Sequence, residues 1–511
     1  LRRLREGLSF DIGLWIDALC IDQDSNEEKN HQLRKMLMIY HSGANTCIWL
    51  GESTGGSESE RGMKFVEDIV SIGYLRHLLE DPERVRDWLA FAELLTRDWF
   101  SRRWIIQEVA ASRFATIRFG GVEIKWGDFV EAIEIFFRSF EEIQKMCWTD
   151  PEVYVTLDML RRESLPAKAL VETTLNVFRH WEGSVLQSRW SLERLVMKLN
   201  RFLVTDSRDT IYAIIGIAND NVRKFGGPIG ADEQILVGDY KKKTLEVYID
   251  FFRYAVSKSG SLDIILRRWA SPITIWSGSA ESEGGALPSW IGVVDASRIE
   301  RSFIGEPGKC TYKACSDTVA ECSFGLTNNV YDGTITANGI ILGAVETTSG
   351  LIVSLDDVLK ILDQLEYPVS DREKVAGVLW RTLVGDRDSN GGNPPRWYQR
   401  ACLYWLTHAS SELELVAAFQ KRVEEVVSDR KLFTYKGVDE SFQLGGIGPS
   451  GIQSGDLVCI LFGCSVPVIL REHTSNDYIL IGECYVHRKM EGEHFFDRDL
   501  GSIKKQSFTI R

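Results

Sequence analysis

The sequence predicts an α/β fold: a parallel-sheet domain at the amino-terminal end, then a helical region, then a β-rich end of small-barrel type. Three observations carry this prediction. The apolar run LWIDALCIDQ (Leu14 to Gln23) precedes a helix-period segment and a second apolar run, NTCIWLGE (Asn45 to Glu52). Strand, helix, strand at this spacing is a βαβ unit, whose strands lie parallel. Between about residues 128 and 265, apolar residues recur at helical spacing. Near the carboxyl end, GDLVCILFGCSVPVILRE and YILIGECYVHRKMEGE alternate and carry glycine turns, as antiparallel strands do.

Each element has its own signal. LWIDALCIDQ reads as a buried strand ending in Asp17, Asp22 and Gln23. In DSNEEKNHQLRKMLMIYHSGA, Ser25 and Glu28 form a capping box, Leu33, Leu37 and Tyr40 mark one helical face, and Gly43 is the stop. NTCIWLGE is a short buried strand, followed by the Gly/Ser/Glu loop GESTGGSESERG. A helix is expected over Val85 to Leu95, with Val85, Trp88, Leu89 and Ala92 on one side. Another starts near Ser101, a suitable N-cap, and ATIRFGGVEIKW is a strand or hairpin. GGIGPSGIQSGD precedes a strand but no helix, so it is a β-turn region rather than a phosphate cradle. The expected boundaries are 1–127 for the α/β domain, 128–280 helical, 281–350 β-rich, 351–436 helical and 437–511 antiparallel β.

Composition narrows the function. With 511 residues, 44% hydrophobic and 26% charged, the chain is of globular type, and 15 tryptophans point to sizeable cores. A net charge of −13 argues against a nucleic-acid or anionic-membrane binder. No apolar run approaches the ~18 residues of a membrane span, and no secretory signal is visible. The 10 cysteines form no CxxC pair. Cys20, Cys47 and Cys459 lie in apolar runs and read as reduced core thiols of a cytoplasmic protein. The 8 histidines have no metal spacing, and there is no dinucleotide fingerprint, Walker loop or serine-hydrolase elbow, so neither metal nor cofactor is expected. The chain opens LRRLREGLSF, without an initiator methionine and directly before a core strand, and so reads as a fragment.

Candidate site residues fall in two stretches. Asp17, Asp22 and Gln23 follow the first strand, where open α/β folds place polar ligands; the competing reading has Asp22 and Asp24 capping the next helix. In WFSRRWIIQEV, Trp104 and Glu108 share a helix face. A carboxylate beside an indole is partly desolvated, and such a group can stabilise an oxocarbenium-like centre or hold ribose hydroxyls. The competing reading pairs Glu108 with Arg103 or Arg97 and buries Trp104 in the core. Arg97, Arg102 and Arg103 stand among Trp99, Phe100 and Trp104, suited either to a phosphate and a base or to cation–π packing. A Cys20 nucleophile with His31 or His41 is set aside because Cys20 lies in a buried strand.

LWIDALCIDQD, LRKMLMIYHSGANTCIWLGE and DWFSRRWIIQEVAAS, in this order, resemble the fungal heterokaryon-incompatibility (HET) domain over residues 12 to about 122. TDSRDTIYAIIGIA, GDYKKKTLEVYIDF, LPSW, LWRTLVGD and the carboxyl-terminal strands are similar to the wider architecture of such proteins. The resemblance implies non-self recognition ending in programmed cell death. HET domains are in turn similar to TIR domains, which implies a flavodoxin-like sheet and, from the Trp-x-x-x-Glu pattern, Glu108 as the catalytic carboxylate of an NAD glycohydrolase. Asp17, Asp22, Gln23, Trp104 and Arg103 would then bind the substrate, with NAD as substrate and no metal. The family's opening strand, of the type aLSYxWG, is missing here, which would leave an unpaired edge and an incomplete pocket wall. The alternative function is a non-enzymatic signalling module that self-associates or docks on an incompatibility partner. The carboxyl-terminal β region is assigned to regulation or partner contact.

Overall fold

The computed structural model describes residues 13–52, 58–148, 150–181, 184–221, 235–272, 287–295, 302–328, 330–364, 372–408, 413–437, 442–474, 476–496 and 504–511. Two compact units divide the chain, Leu1–Val247 and Tyr248–Arg511. The architecture is mixed: a small sheet with a parallel pair, many helices, and a β-rich carboxyl-terminal sheet.

The first unit departs from expectation at its start. Leu14 to Gln23 is not a strand; Asp17–Cys20 make one helical turn, α1. The physical reason is local. No strand pairs with the segment among the described residues. The Asp17 carboxylate instead accepts the Ala18 N–H at 2.7 Å, and the Leu19 and Cys20 amides donate to the Ile16 carbonyl at 3.0 and 2.8 Å. Leu14 and Leu19 are 46% and 69% exposed. Cys20 and Cys47 are exposed as well, so the core-thiol reading holds for Cys459 and not for these two.

The capping signal behaves as read. Ser25 Oγ accepts the Glu28 N–H at 3.2 Å and starts α2 (Asn26–Leu33); α3 (Met36–Ser42) follows after a break at Arg34 and Lys35, and Gly43 closes it. The first βαβ unit is therefore replaced by a later one. Strand β1 (Thr46–Trp49) pairs in parallel with β2 (Ala115–Phe119), in the register Thr46 to Ala115. Between them run α4 (Glu58–Val70), α5 (Ile72–Glu80), α6 (Val85–Leu94) and α7 (Ile105–Ala111). β2 turns back into β3 (Val122–Lys125), completing the expected hairpin.

The core of this unit forms where α4 packs on α6 and on α8 (Trp126–Arg138). Trp88 meets Phe65 edge-on at 5.0 Å and gives its indole N–H to the Leu78 carbonyl at 3.3 Å. Gly62 permits the close helix approach: a Cβ there would lie 2.5 Å from the Ala90 carbonyl oxygen. Farther along come α9 (Phe140–Met146), α10 (Pro151–Glu163), α11 (Leu165–Val177), the ribbon β4 (Phe178–Trp181) and β5 (Ser184–Ser188), α12 (Leu192–Lys198) and α13 (Asp209–Tyr212). The helix α14 (Thr244–Ser259) spans the division between the units.

In the second unit, β6 (Arg268–Ala270) and β7 (Gly292–Val293) make a short parallel pair. Strand β8 (Cys322–Thr327) turns into β9 (Val330–Thr348), which runs 19 residues. Helices α15 (Leu355–Gln364), α16 (Arg372–Leu383), α17 (Trp397–His408) and α18 (Glu414–Val427) share a core through Val358, Trp380, Trp405 and Phe419. The remaining strands are β10 (Arg430–Gly437), β11 (Phe442–Pro449), β12 (Leu457–Leu461), β13 (Val468–Thr474), β14 (Asp477–Glu483), β15 (Tyr485–Val486) and β16 (Gln506–Ile510), with the short helix α19 (Glu493–Phe496) before β16. Hydrogen bonding runs β9–β12–β13–β14–β16 and returns to β9, so these strands close on themselves, with only β14–β16 parallel. The far end of β9 pairs instead with β10, which continues the sheet to β11 and β15. The glycines of GGIGPSGIQSGD lie partly in β11, where Gly446 stands opposite Phe433 and leaves room for its ring.

Candidate functional site

Helix α7 carries Glu108. It begins one turn later than the Ser101 signal suggested, because Asp98–Ser101 form a 3₁₀ turn and the Ser101 hydroxyl donates back to the Asp98 carbonyl. Trp104 stands at the N-cap position, and its carbonyl accepts the Glu108 N–H at 3.3 Å. Helix α3 packs on α7. The buried Gln107 amide ties them, donating to the Ala213 carbonyl at 3.1 Å and accepting the Leu37 N–H at 3.0 Å.

Glu108 is only partly accessible, and its carboxylate makes no hydrogen bond among the described residues. Burial pushes its carboxyl up to about 7; Arg102 opposes the shift, and Asp17 adds to it. Tyr40 on α3 shares this neighbourhood. Burial raises its phenol first, Glu108 and Asp17 raise it further, and Arg102 lowers it. The Tyr40 ring meets Trp15 edge-on at 5.5 Å. Thus Asp17 from the α1 turn and Arg102 before α7 both act electrostatically on Tyr40 of α3 and on Glu108 of α7.

The other residues singled out from the sequence have other partners. Asp22 accepts the Asp24 N–H at 3.0 Å in an exposed turn, and the Ser25 N–H meets the Asp22 carbonyl at 3.3 Å. Gln23 donates its side-chain amide to the Asp17 carbonyl at 3.3 Å, which keeps this loop beside α1. Arg103 is 1% exposed and turns inward, donating to the Leu199 carbonyl at 2.6 Å and the Val196 carbonyl at 3.4 Å. These carbonyls end α12, where a cation is favoured. Arg97 packs over the Phe119 ring at 4.3 Å. Cys20 accepts the Ile16 N–H, and its exposure removes the reason for setting its thiol aside.

Trp104 gives its indole N–H to Asp209 at 3.0 Å, and the other oxygen of Asp209 accepts the Tyr240 hydroxyl at 2.6 Å. Burial raises the Asp209 carboxyl to about 6, against the lowering effect of the Tyr240 hydrogen bond. Arg208 grips Asp206 with two nitrogens and donates to the carbonyls of Tyr240 and Lys242 at 2.7 and 3.0 Å. Asn30 on α2 clasps the same loop, accepting the Tyr240 N–H and donating to Asp239, both at 2.8 Å. Sequence reasoning quoted TDSRDT and GDYKKKT but did not connect them to Trp104. Their acidic and aromatic residues were the available signal. No group of three or more metal-ligating side chains occurs among the described residues, and no described helix is long and apolar enough to cross a membrane.

Comparison with known proteins puts this geometry in context. Residues 1–108, ending on Glu108, match the family model described as heterokaryon incompatibility protein (HET). The chain is similar to heterokaryon incompatibility protein 6, OR allele, of Neurospora crassa, at 24% identity over 94% of this chain and 81% of that protein. No solved structure matches the chain. These similarities support a heterokaryon incompatibility protein, with the family model matched over residues 1–108.

Proposed function

We propose that the chain acts in fungal non-self recognition and that its first unit does so by cleaving the nicotinamide–ribose bond of NAD. The observation that carries this reading is Glu108: a carboxyl held among protein atoms, without a hydrogen-bond partner among the described residues, and raised to about 7. A perturbed acid of this kind is expensive in a purely structural role and is common where chemistry occurs. In the reaction the C1′–N bond breaks, and its electron pair goes to the pyridinium nitrogen, so nicotinamide leaves neutral. Positive charge spreads over C1′ and the ring oxygen, where ionised Glu108 stabilises it. Water then adds at C1′ and releases a proton, giving ADP-ribose. The cationic substrate itself favours the ionised form of Glu108. Trp104 supplies an aromatic wall, while Asp17, with Asp22 and Gln23 on the adjoining turn, takes ribose hydroxyls. Arg103 holds the loop before α7. A flavodoxin- or TIR-like ancestry of the small sheet belongs to the same proposal. So do a cytoplasmic site of action and an assignment of the carboxyl-terminal strands to regulation.

The test is NAD consumption by the purified, concentrated protein against Glu108→Gln. Loss of NAD with the wild type and none with the folded variant supports the enzyme; no loss from either overturns it. A second reading, a non-enzymatic module that binds itself or an incompatibility partner, is favoured by one observation: Leu14 and Leu19 lie exposed beside Asp17. On that reading Leu19→Asp abolishes the death response and Glu108→Gln does not.

A further inference from the structure

Helix α10 (Pro151–Glu163) turns its two sides to different surroundings. It packs on α6, α9 and α11, and its middle residue, Leu157, is fully buried there. At 100° per residue, Val155 and Met159 stand about 160° from Leu157, one on either side, and so form the outward face. They are 65% and 50% exposed. Glu152 and Arg162, also exposed, lie about 140° round from Leu157 and bracket this apolar pair at its two ends. The helix itself is fixed in the first unit. Asp150 caps it, accepting the Glu152 and Val153 N–H groups at 3.2 Å. Arg161, on the inner side, lies over the Phe140 ring at 4.7 Å, and Asp158 pairs with Arg161 at 3.3 Å and with Arg162 at 2.7 Å. A single exposed apolar side chain is ordinary. Two of them, one turn apart on a fixed helix and bracketed by opposite charges, make a docking face.

The order of the four residues says what fits this face. Val155 and Met159 lie two residues from Leu157, Glu152 and Arg162 five, and the outer two carry opposite charges. Turned end for end, the same helix presents Met159 at the height of Val155 and Arg162 at the height of Glu152. We propose that α10 is a self-association surface, on which α10 of a second copy of the chain packs antiparallel about a two-fold axis level with Leu157. Val155 of each copy then meets Met159 of the other, and Glu152 of each faces Arg162 of the other, so every contact is made twice. Parallel packing would instead set like charges together, and a partner of one charge sign would suit only one end of the face. Helix α10 lies outside the residues matched by the HET family model, and the pairing asks nothing of the NAD reading. A helix of 13 residues covers less than the roughly 800 Å² that a standard interface takes from each partner, so the pair is weak and forms as the local concentration of the chain rises.

The experiment is sedimentation equilibrium of the full chain over a concentration series. Wild type should pass from the mass of one chain toward that of two, with a Kd of roughly 10–100 μM. Val155→Asp should weaken the association at least about tenfold. Glu152→Arg and Arg162→Glu, each alone, set like charges opposite one another at both ends of the contact and should weaken it about tenfold. Mixing these two variants, or combining both changes in one chain, should bring it back to within about threefold of wild type. All these positions are exposed, so the melting temperatures should stay close to that of wild type, which separates loss of fold from loss of pairing. Wild type monomeric throughout the series, association indifferent to Val155→Asp, or no recovery in the mixed and combined variants would overturn the proposal. So would a dimer broken by Leu19→Asp and untouched by Val155→Asp, which would put the contact on α1.

Discussion

At Glu108 the fold keeps a carboxyl that prefers to be protonated. Its folded value of about 7 lies above the ordinary 4.5, so the folded state holds this proton more tightly than the unfolded chain. The contribution to stability is therefore full below the ordinary value and is lost as pH rises through about 7. Glu108→Gln removes the penalty. We expect the variant to be more stable than wild type at pH 8, by roughly 1–3 kcal/mol, with little difference at pH 4; denaturant titrations at the two pH values check this. The same ionisation sets the reaction on the proposed reading. The kcat/KM for NAD should rise through pH of about 7 as Glu108 ionises in the free protein, and a flat profile across that range would count against the carboxylate as the working group. The Trp104–Glu108 spacing was legible because a four-residue step on a helix is a local rule. Tyr40 and Arg102 were read only as a helix-face residue and a member of an arginine cluster, since the charge interaction of Tyr40 with Arg102 and Glu108 depends on how α3 packs on α7.

Among the elements, α7 is held in place from outside its own segment. The Asp209 carboxylate receives both the Trp104 indole and the Tyr240 hydroxyl. Tyr240→Phe leaves one oxygen of a buried acid without its donor, which should destabilise the first unit by about 1–3 kcal/mol and raise the Asp209 carboxyl further; chemical denaturation followed by tryptophan fluorescence reads the loss. Gly62→Ala, at the contact of α4 with α6, should cost about 1–3 kcal/mol through backbone displacement. The sequence showed Ser25, α6, β1, the β2–β3 hairpin and the helices between Leu355 and Val427, because caps, helical periods and turn residues act over a few positions. LWIDALCIDQ misled because a short apolar run has no period of its own. Whether it becomes a strand depends on a neighbour to hydrogen-bond with, and Asp17 offers the backbone a local alternative. TDSRDT was visible as a motif, but its bond to Trp104 spans 105 positions and follows no local rule.

For the molecule as a whole, the two units make different demands on the chain. The match to the HET family model ends at residue 108, yet Arg103 and Trp104 find their partners at Val196, Leu199 and Asp209. A fragment ending at residue 127 should therefore fail to give a cooperative melting transition, and one ending at residue 247 should give it; calorimetry of both distinguishes the outcomes. In the second unit, deleting residues 504–511 removes β16 and leaves β9 and β14 with bare edges, so the product should aggregate where the full chain stays dispersed in light scattering. The ring of strands also has a temporal side. Its first stave, β9, emerges from the ribosome well before β16, the stave that closes it. The first unit can fold while translation continues, but the edge of β9 that β16 covers, residues 335–339, must wait with those hydrogen-bonding groups uncommitted until residues 506–510 are made. The interval is set by the speed of translation rather than by the speed of folding, and during it the nascent second unit is the part of the chain that calls for a chaperone.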